Sequence, residues 1–139
     1  MYLFDSDVLS QLAKKLRPEI LMAKLAGTLL AAQFTSTVNV AEIYYGIFRM
    51  KDQENDRRRL LEFFENLVFP RLTILPFDEE SARTYARLRS ELERKGRPRF
   101  EPDLQIAAIA LRNRLTVVTG NVRHFAGIPG LKVENWLGT

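Results

Sequence analysis

The chain has 139 residues, of which 46% are hydrophobic and 27% charged, a length and composition that predict one globular domain over residues 1–139. It contains no cysteine and a single histidine, His124, which excludes disulfide scaffolds, thiolate zinc sites, thiol nucleophiles and histidine-rich zinc sites. The net charge of +4 suits a polyanionic partner and equally suits an ordinary globular protein.

Short apolar runs alternate with helical patterns along the first half of the chain. Pro18 suits the first turn of a helix, where its missing N–H costs nothing. The charged segment after residue 50 is typical of an exposed turn. In chain order we predict a strand at 2–4, helices at 7–16 and 18–32, a strand at 34–36, a helix at 39–50, a turn at 51–59 and a helix that contains Leu60, Leu61, Phe63, Phe64 and Leu67.

The same alternation continues in the second half. Asp78 and the two glutamates after it form an N-terminal capping pattern, with acids where the helix dipole favours them. In chain order we predict a strand at 73–75, a helix from this cap to Lys95, a loop at 97–101, a helix from Pro102, and strands at 116–119 and 131–133. About five short strands separated by helices predict an α/β fold with a mainly parallel sheet.

Neither a signal peptide nor a membrane span is predicted. The N-terminus lacks a basic region followed by an apolar stretch, and the longest apolar stretch, 20–34, is interrupted by Lys24, Gly27, Thr28 and Gln33. We therefore expect a cytoplasmic protein with no membrane partner.

Three acidic residues occupy apolar surroundings, unlike the other carboxylates in the chain. Asp5 follows the first predicted strand, Glu42 lies in a mostly apolar helix, and Asp103 begins a helix that is apolar nearly all round. Burying a carboxylate costs several kcal/mol unless a partner compensates it. Ligands of parallel α/β sheets collect at the carboxyl ends of the strands, so the three acids are expected to converge there.

Two kinds of partner would satisfy these carboxylates. Each acid alone is explained by capping a helix or pairing with an arginine. Together they suit a hard divalent cation, Mg²⁺ or Mn²⁺, which takes oxygen ligands and leaves sites for phosphate oxygens. Such a site would drive phosphoryl transfer by activating water.

Four segments resemble motifs of PIN-domain nucleases, and in particular the VapC-type toxins of toxin–antitoxin pairs. They are residues 4–10 (FDSDVLS), 40–46 (VAEIYYG), 103–108 (DLQIAA) and 119–125 (TGNVRHF), and the residues near 129–136 extend the likeness. The segments occur in the order and approximate spacing of the family. Each is weak alone, whereas four in register are specific.

The resemblance implies a three-layer α/β/α fold and a Mg²⁺- or Mn²⁺-dependent endoribonuclease, commonly a homodimer, which a VapB-like antitoxin neutralises. Asp5, Glu42 and Asp103 correspond to the metal ligands and catalytic acids of the family, with Asp5 and Asp103 as the principal ligands. Glu42 would complete the shell or orient the attacking water. Ser6, which corresponds to a small hydroxyl residue of the family, would position water or phosphate.

The sequence departs from the family in one respect. Members often have a fourth acid at the position of Asn121 or His124, and this chain has a carboxylate at neither. The sequence therefore leaves open whether the site holds one metal ion or two. Asn121 and Asp7 are additional candidate ligands. We interpret His124 as a surface residue or a phosphate contact and not as a metal ligand. If its imidazole did bind the metal, the site would favour Mn²⁺.

Three arginines are candidate RNA phosphate contacts. Arg97 and Arg99 precede Asp103 by a few residues, and Arg123 lies in the last motif. Phosphate contacts supply affinity without sequence information, so the RNA is not identified. A transfer RNA is a common target of the family.

The predicted function is thus a ribonuclease toxin that hydrolyses phosphodiester bonds with metal-activated water. Two alternatives stay open. A catalytically weak PIN module would bind only RNA or a partner protein. A phosphatase of the haloacid dehalogenase type would use the Asp5-Ser6-Asp7 pattern as its nucleophile motif, but it also needs a downstream lysine on a later strand.

Overall fold

A computed structural model describes residues 1–138 and contains a single five-stranded sheet. The strands are β1 (Tyr2–Phe4), β2 (Gln33–Ser36), β3 (Thr73–Leu75), β4 (Thr116–Val118) and β5 (Val133–Glu134). Their spatial order is β3-β2-β1-β4-β5, and every neighbouring pair is parallel. The predicted α/β class with a parallel sheet is confirmed.

Helices connect the strands, as the crossovers of a parallel sheet require. They are α1 (Ser6–Gln11), α2 (Glu19–Ala26), α3 (Thr37–Phe48), α4 (Glu54–Phe63), α5 (Glu79–Arg94), α6 (Glu101–Arg112) and α7 (Val122–Phe125). A π-helical turn over Phe64–Val68 continues α4, and 3₁₀ turns lie at Leu30–Ala32 and Phe69–Arg71. Within residues 1–138, none of these helices combines the length and apolar character needed to cross a bilayer.

The sheet lies between two layers of helices because alternate residues of each strand face opposite sides. Leu3 and Val117 pack on one face, against α5, α6 and α7. Phe4 and Val118 pack on the other, against α1, α2, α3 and the π-helical turn. The central strands β1 and β4 are buried on both faces, as their mostly apolar residues require, whereas the edge strands β3 and β5 are more exposed. The predicted three-layer α/β/α arrangement is confirmed.

The strand order places β1 at the centre of the sheet, next to the point where the connections change direction. From β1 the chain builds outward through β2 and β3, then crosses back to β4 on the other side. Such a reversal opens a crevice at the carboxyl ends of the two central strands. The Asp5 backbone N–H donates to the Val118 carbonyl at 2.9 Å, so the β1–β4 pairing reaches the first residue of that crevice.

Two of the predicted helices are shorter than expected. The helix predicted over 7–16 ends at Gln11, because Ala13 and Lys14 form only turn-type bonds to the carbonyls three residues before them and Leu16 is 90% exposed. The helix predicted over 18–32 ends at Ala26, where Gly27 forms the C-cap. The Thr28 hydroxyl then donates to the Lys24 carbonyl at 2.6 Å, a side-chain bond that competes with helix continuation.

Other element boundaries also differ from the prediction. The charged segment 51–59 is a turn only to residue 53, because Glu54 and Asp56 in the first turn of α4 favour a helix. The last strand lies at Val133–Glu134 and not at 131–133, since Val133 is the residue that pairs with Val117. The short helix α7 was not predicted.

Candidate active site

Asp5 is held in one orientation by hydrogen bonds to both carboxylate oxygens. It forms the N-cap of α1, where its Oδ1 accepts from the Ser6 backbone N–H at 2.8 Å. The same oxygen accepts from Asn39 Nδ2 at 2.9 Å, and Oδ2 accepts from the Thr119 hydroxyl at 2.8 Å. Only 7% of the residue is exposed. Three elements, α1, α3 and the end of β4, thus fix this carboxylate.

The surroundings of Asp5 disfavour its charge despite these bonds. Burial raises the pKa of the carboxyl most, and the nearby negative charge of Asp7 raises it further. The hydrogen bonds from Thr119 and Ser6 lower the pKa, and Glu42 adds a smaller increase. The net result is a pKa of about 6. An ionised Asp5 therefore gains from a nearby positive charge.

Glu42 reaches the same crevice from α3. The Ser6 hydroxyl donates to Glu42 Oε1 at 2.7 Å, and the Ser6 oxygen accepts from Asn39 Nδ2 at 3.1 Å. Asn39 and Glu42 are three residues apart on α3, so they lie on one face of the helix. Two residues of α3 therefore contact the start of α1.

Asp7 links α1 by hydrogen bonds to the loop that follows β4. The Gly120 backbone N–H donates to Asp7 Oδ2 at 2.8 Å, and Asn121 Nδ2 donates to the same oxygen at 3.4 Å. A Cβ atom on Gly120 would lie 2.8 Å from Asp7 Oδ2 and 2.7 Å from a methyl of Leu137. A larger residue at position 120 would therefore force the Asp7 carboxylate or the Leu137 side chain to move.

Asp103 lies in the first turn of α6, where it is buried but weakly held. Its Oδ2 is 3.3 Å from Nδ1 of His124, a residue whose side chain is half exposed. Burial raises the pKa of Asp103, a protonated His124 imidazole would oppose that rise, and the charges of Glu42 and Asp7 reinforce it. Glu42 and Asp7 thus raise the pKa of both Asp5 and Asp103.

The four carboxylates occupy one region but do not form a ready ligand group. Glu42 is turned toward Ser6, Asp7 toward the Gly120 N–H and Asp103 toward His124. Across residues 1–138, no three Asp, Glu or His side chains lie close enough together to hold a metal ion as they are placed. The region is therefore an acidic crevice in which the side chains bind one another and their neighbours.

The three candidate phosphate-binding arginines are placed differently from one another. Arg97 and Arg123 are exposed. Arg99 is partly buried, and its guanidinium donates to the carbonyl oxygens of Arg97 at 2.9 Å and Ala126 at 2.8 Å. Arg99 therefore links the loop before α6 to the segment after α7. Only its remaining N–H groups are available to bind another partner.

Three buried polar residues around Asp5 were not predicted from the sequence. Asn39 and Thr119 donate hydrogen bonds to Asp5, and Ser36 donates one to Asn39. All three are fully buried. A signal was present for two of them. Thr119 follows β4 just as Asp5 follows β1, and Asn39 interrupts an apolar helix one turn before Glu42.

Comparisons with known proteins identify relatives along nearly the whole chain. The PIN domain model matches residues 2–131. Ribonuclease VapC2 of Rickettsia felis is 36% identical over 101 residues, which cover 73% of this chain and 72% of that protein. The tRNA(fMet)-specific endonuclease VapC of Salmonella typhimurium is also 36% identical over 101 residues, 73% of each chain.

Solved structures extend the similarity to the complete fold. FitAcB from Neisseria gonorrhoeae has a TM-score of 0.90 and 30% identity, covering 100% of both chains. VapBC2 from Rickettsia felis, bound to a DNA fragment from its promoter, has a TM-score of 0.81 and 31% identity, covering 97% of this chain and 98% of that one. The chain belongs to the PIN-domain family.

Proposed function

We propose that this chain is the endoribonuclease toxin of a toxin–antitoxin pair and that it hydrolyses RNA phosphodiester bonds with the help of a divalent metal ion. The match to the PIN domain over residues 2–131 and the similarity to proteins named ribonucleases support the activity. The main structural observation is the crevice in which Glu42 and Asp7 each raise the pKa of both Asp5 and Asp103.

The chemistry of the crevice fits a divalent cation of the kind on which PIN-domain nucleases generally depend. Its donors are carboxylate oxygens, the ligands that Mg²⁺ and Mn²⁺ prefer. Burial and mutual repulsion raise the pKa values of Asp5 and Asp103, so a cation would relieve an unfavourable charge. Asp5, Glu42 and Asp103 would hold the ion. Asp7 and Asn121 are further oxygen donors beside them.

Holding an ion requires some of these side chains to exchange partners. Glu42 would leave the Ser6 hydroxyl and Asp103 would turn from His124, whereas Asp5 is already fixed by three hydrogen bonds. We therefore assign Asp5 the role of the fixed ligand. Glu42 and Asp103 adjust to it.

The reaction divides between such an ion and the residues of the chain. When bound, the ion would activate a water molecule and neutralise charge on the scissile phosphate. The Ser6 hydroxyl, once released by Glu42, can donate to a phosphate oxygen or to the attacking water. Glu42 Oε1, which accepts a hydrogen bond from the Ser6 hydroxyl in the structure, is placed to accept one from that water instead. No histidine base is needed.

RNA would approach along basic residues that flank the crevice. Arg97 and Arg123 are exposed, and Arg99 retains donors beyond those that brace its loop. With three acids neutralised by a metal, the surface offered to RNA is more basic than the net charge of +4 indicates. A transfer RNA is the proposed class of substrate, because the Salmonella relative is named for one.

A protein partner is part of the same proposal. The Rickettsia structure is a VapBC2 complex, and this chain corresponds to a VapC protein. We propose that a VapB-like antitoxin binds the chain and blocks cleavage, and that the chain forms a homodimer. Because RNA substrates of this kind are cytoplasmic, the proposed activity is cytoplasmic.

A cleavage assay tests the proposed function. Purified protein is incubated with bulk transfer RNA and Mg²⁺, and the RNA fragments are followed over time. Asp5→Asn, Asp103→Asn and EDTA should each abolish cleavage, because each removes a ligand or the ion. Asp78→Asn is the matched control: it makes the same chemical change at the N-cap of α5, where asparagine caps equally well.

The outcomes separate the proposed function from its alternatives. Full activity of either site variant would contradict the mechanism. Binding of RNA without any cleavage would favour the catalytically weak module, for which the contact of His124 with Asp103 is the supporting observation. A phosphatase would leave RNA intact and release phosphate from a phosphomonoester.

A further inference from the structure

Asn39 is a fully buried amide that contacts the two site residues at the start of α1. Its Nδ2 donates to Asp5 Oδ1 at 2.9 Å and to the Ser6 hydroxyl oxygen at 3.1 Å. Its Oδ1 accepts from the Ser36 hydroxyl at 2.6 Å. Both N–H donors and the carbonyl of this side chain are therefore engaged.

The hydrogen bonds around Asn39 have only one consistent direction. An ionised Asp5 carboxylate can only accept, so the NH₂ end of the amide faces Asp5 and Ser6, and its Oδ1 accepts from the Ser36 hydroxyl. Because the Ser6 oxygen accepts from that NH₂ group, the Ser6 proton is free to go to Glu42. One amide thus sets both the position of the Asp5 carboxylate and the direction of the Ser6 hydroxyl.

The side chain of Asn39 is not needed to form its own helix. Ser36 caps α3, since its hydroxyl oxygen accepts from the Asn39 backbone N–H at 3.2 Å. The Asn39 amide instead crosses to the end of β1. A buried amide costs free energy unless it is fully bonded, and here its bonds are made to site residues.

We propose that Asn39 is a positioning residue that orients Asp5 for metal binding and directs the Ser6 hydroxyl. The proposal rests on the metal-dependent function proposed above. Asn39 itself contacts neither solvent nor substrate, because none of its surface is exposed. Its effect should therefore appear in the affinity for the metal and in kcat, and not in the binding of RNA.

Asn39→Ala is the first test, with Asn113→Ala as its matched control. Asn113 also loses a side-chain hydrogen bond, from its Nδ2 to the Ile109 carbonyl at 2.8 Å, but it lies at the opposite end of α6 from Asp103. The melting temperature is measured against Mg²⁺ concentration without RNA, and kcat and KM are measured with RNA at saturating Mg²⁺.

We expect Asn39→Ala to need about 10- to 100-fold more Mg²⁺ for half of the thermal stabilisation, the usual effect of removing a residue that orients a ligand. The kcat should fall while KM for RNA stays within about twofold of the wild type, since phosphate contacts are untouched. Asn113→Ala should match the wild type in Mg²⁺ midpoint and kcat. An unchanged Mg²⁺ midpoint in Asn39→Ala, with only a lower melting temperature, would show a purely structural role and overturn the proposal.

Ser36→Ala is the second test and applies even if Asn39→Ala does not fold. It keeps the Asn39 amide but removes the hydroxyl that donates to its Oδ1, so the amide is held less firmly and the Mg²⁺ midpoint should rise by a smaller factor. The double variant, if it folds, should be no worse than Asn39→Ala alone, because both changes act through one amide. A wild-type midpoint in Ser36→Ala would contradict the proposal that a firmly held Asn39 amide supports metal binding.

The wild-type protein separates this proposal from the one on which it rests. A wild type that neither responds to Mg²⁺ nor cleaves RNA contradicts the proposed function, and the role of Asn39 in it is then wrong as well. If the wild type and Asn39→Ala respond to Mg²⁺ and cleave RNA equally well, the proposed role of Asn39 is contradicted and the proposed function is not.

Discussion

Asp5 and Asp103 are buried to the same extent but held in different ways. Their exposed fractions are 7% and 8%. Asp5 accepts three hydrogen bonds from α1, α3 and the end of β4. Within the described residues 1–138, the one polar side chain that contacts Asp103 is His124, at 3.3 Å. Burial alone therefore does not determine how firmly a carboxylate is placed.

The difference divides the crevice into a fixed side and an adjustable side. On the fixed side, Asp5 and Asp7 are bonded to residues of the central strands and their loops. On the adjustable side, Asp103 is free to exchange a half-exposed imidazole for another partner. A crevice of this kind keeps one carboxylate in place while the other is able to change its partner. Three further predictions examine this division.

The largest expected effect concerns the pH dependence of stability on the fixed side. The pKa of Asp5 is about 6 in the folded protein, above its ordinary value of 3.8, so the folded state binds this proton more tightly than the unfolded chain does. Its contribution to stability is complete below pH 3.8 and is lost as the pH rises through 6. The loss should amount to about 3 kcal/mol in metal-free protein.

Asp5→Asn should remove that loss because the amide does not titrate. Unfolding in urea is followed by the fluorescence of Trp136, the single tryptophan, in EDTA at several pH values between 4 and 7.5. Asp103→Asn should change the pH dependence in the same direction, since its pKa is also raised. Identical pH profiles for the wild type and Asp5→Asn would show that Asp5 is not the titrating group.

A smaller effect is expected where Asp7 approaches the backbone. Gly120→Ala would place a Cβ atom 2.8 Å from Asp7 Oδ2 and 2.7 Å from Leu137, so one of them must move. We expect a loss of about 2 kcal/mol in the free energy of unfolding, typical of overpacking. The measurement is urea unfolding at pH 7.5.

Gly46→Ala is the matched control for this change. Gly46 lies within α3, and a Cβ atom there would meet nothing within 4 Å. Alanine should stabilise the protein by about 0.5–1 kcal/mol, because it is the better helix former. If both glycine substitutions had the same effect, the close approach of Asp7 to Gly120 would not be the cause.

The smallest effect is expected on the adjustable side. His124→Ala should change the free energy of unfolding by less than about 1 kcal/mol, because the imidazole is half exposed and solvent weakens its contact with Asp103. The variant should bind and use Mg²⁺ and Mn²⁺ in the same ratio as the wild type. A preference for Mn²⁺ that disappears in His124→Ala would instead identify the imidazole as a ligand.

The sequence predicted the elements whose signals are local. The strands at residues 2–4 and 73–75 match β1 and β3, and Asp78 caps α5 through a 2.8 Å bond from the Ser81 N–H. The position of Asp5 at a strand end was predictable because an acid directly after an apolar strand is exceptional. Its convergence with Glu42 followed from the α/β pattern and the resemblance, and the Ser6 bond joins them.

The missed features depend on long-range contacts. The last strand is displaced because its pairing with β4 sets its register, and its composition does not reveal that register. Nothing local in the sequence marks Asn39 or Thr119 as a partner of Asp5. Their bonds to Asp5 form only because the fold places α3 and the end of β4 next to the end of β1. The placement of Asp103 beside His124 also needs the packing of α6 against α7, which no local pattern contains.

The bond between Thr119 and Asp5 joins residues 114 positions apart in the chain. During synthesis Asp5 is made long before Thr119, which follows β4. The central pairing of β1 with β4 is likewise absent until that point, and non-local contacts of this kind form late in folding. The hydrogen bonds that fix the Asp5 carboxylate are therefore complete only after β4 and the residue that follows it have been synthesised.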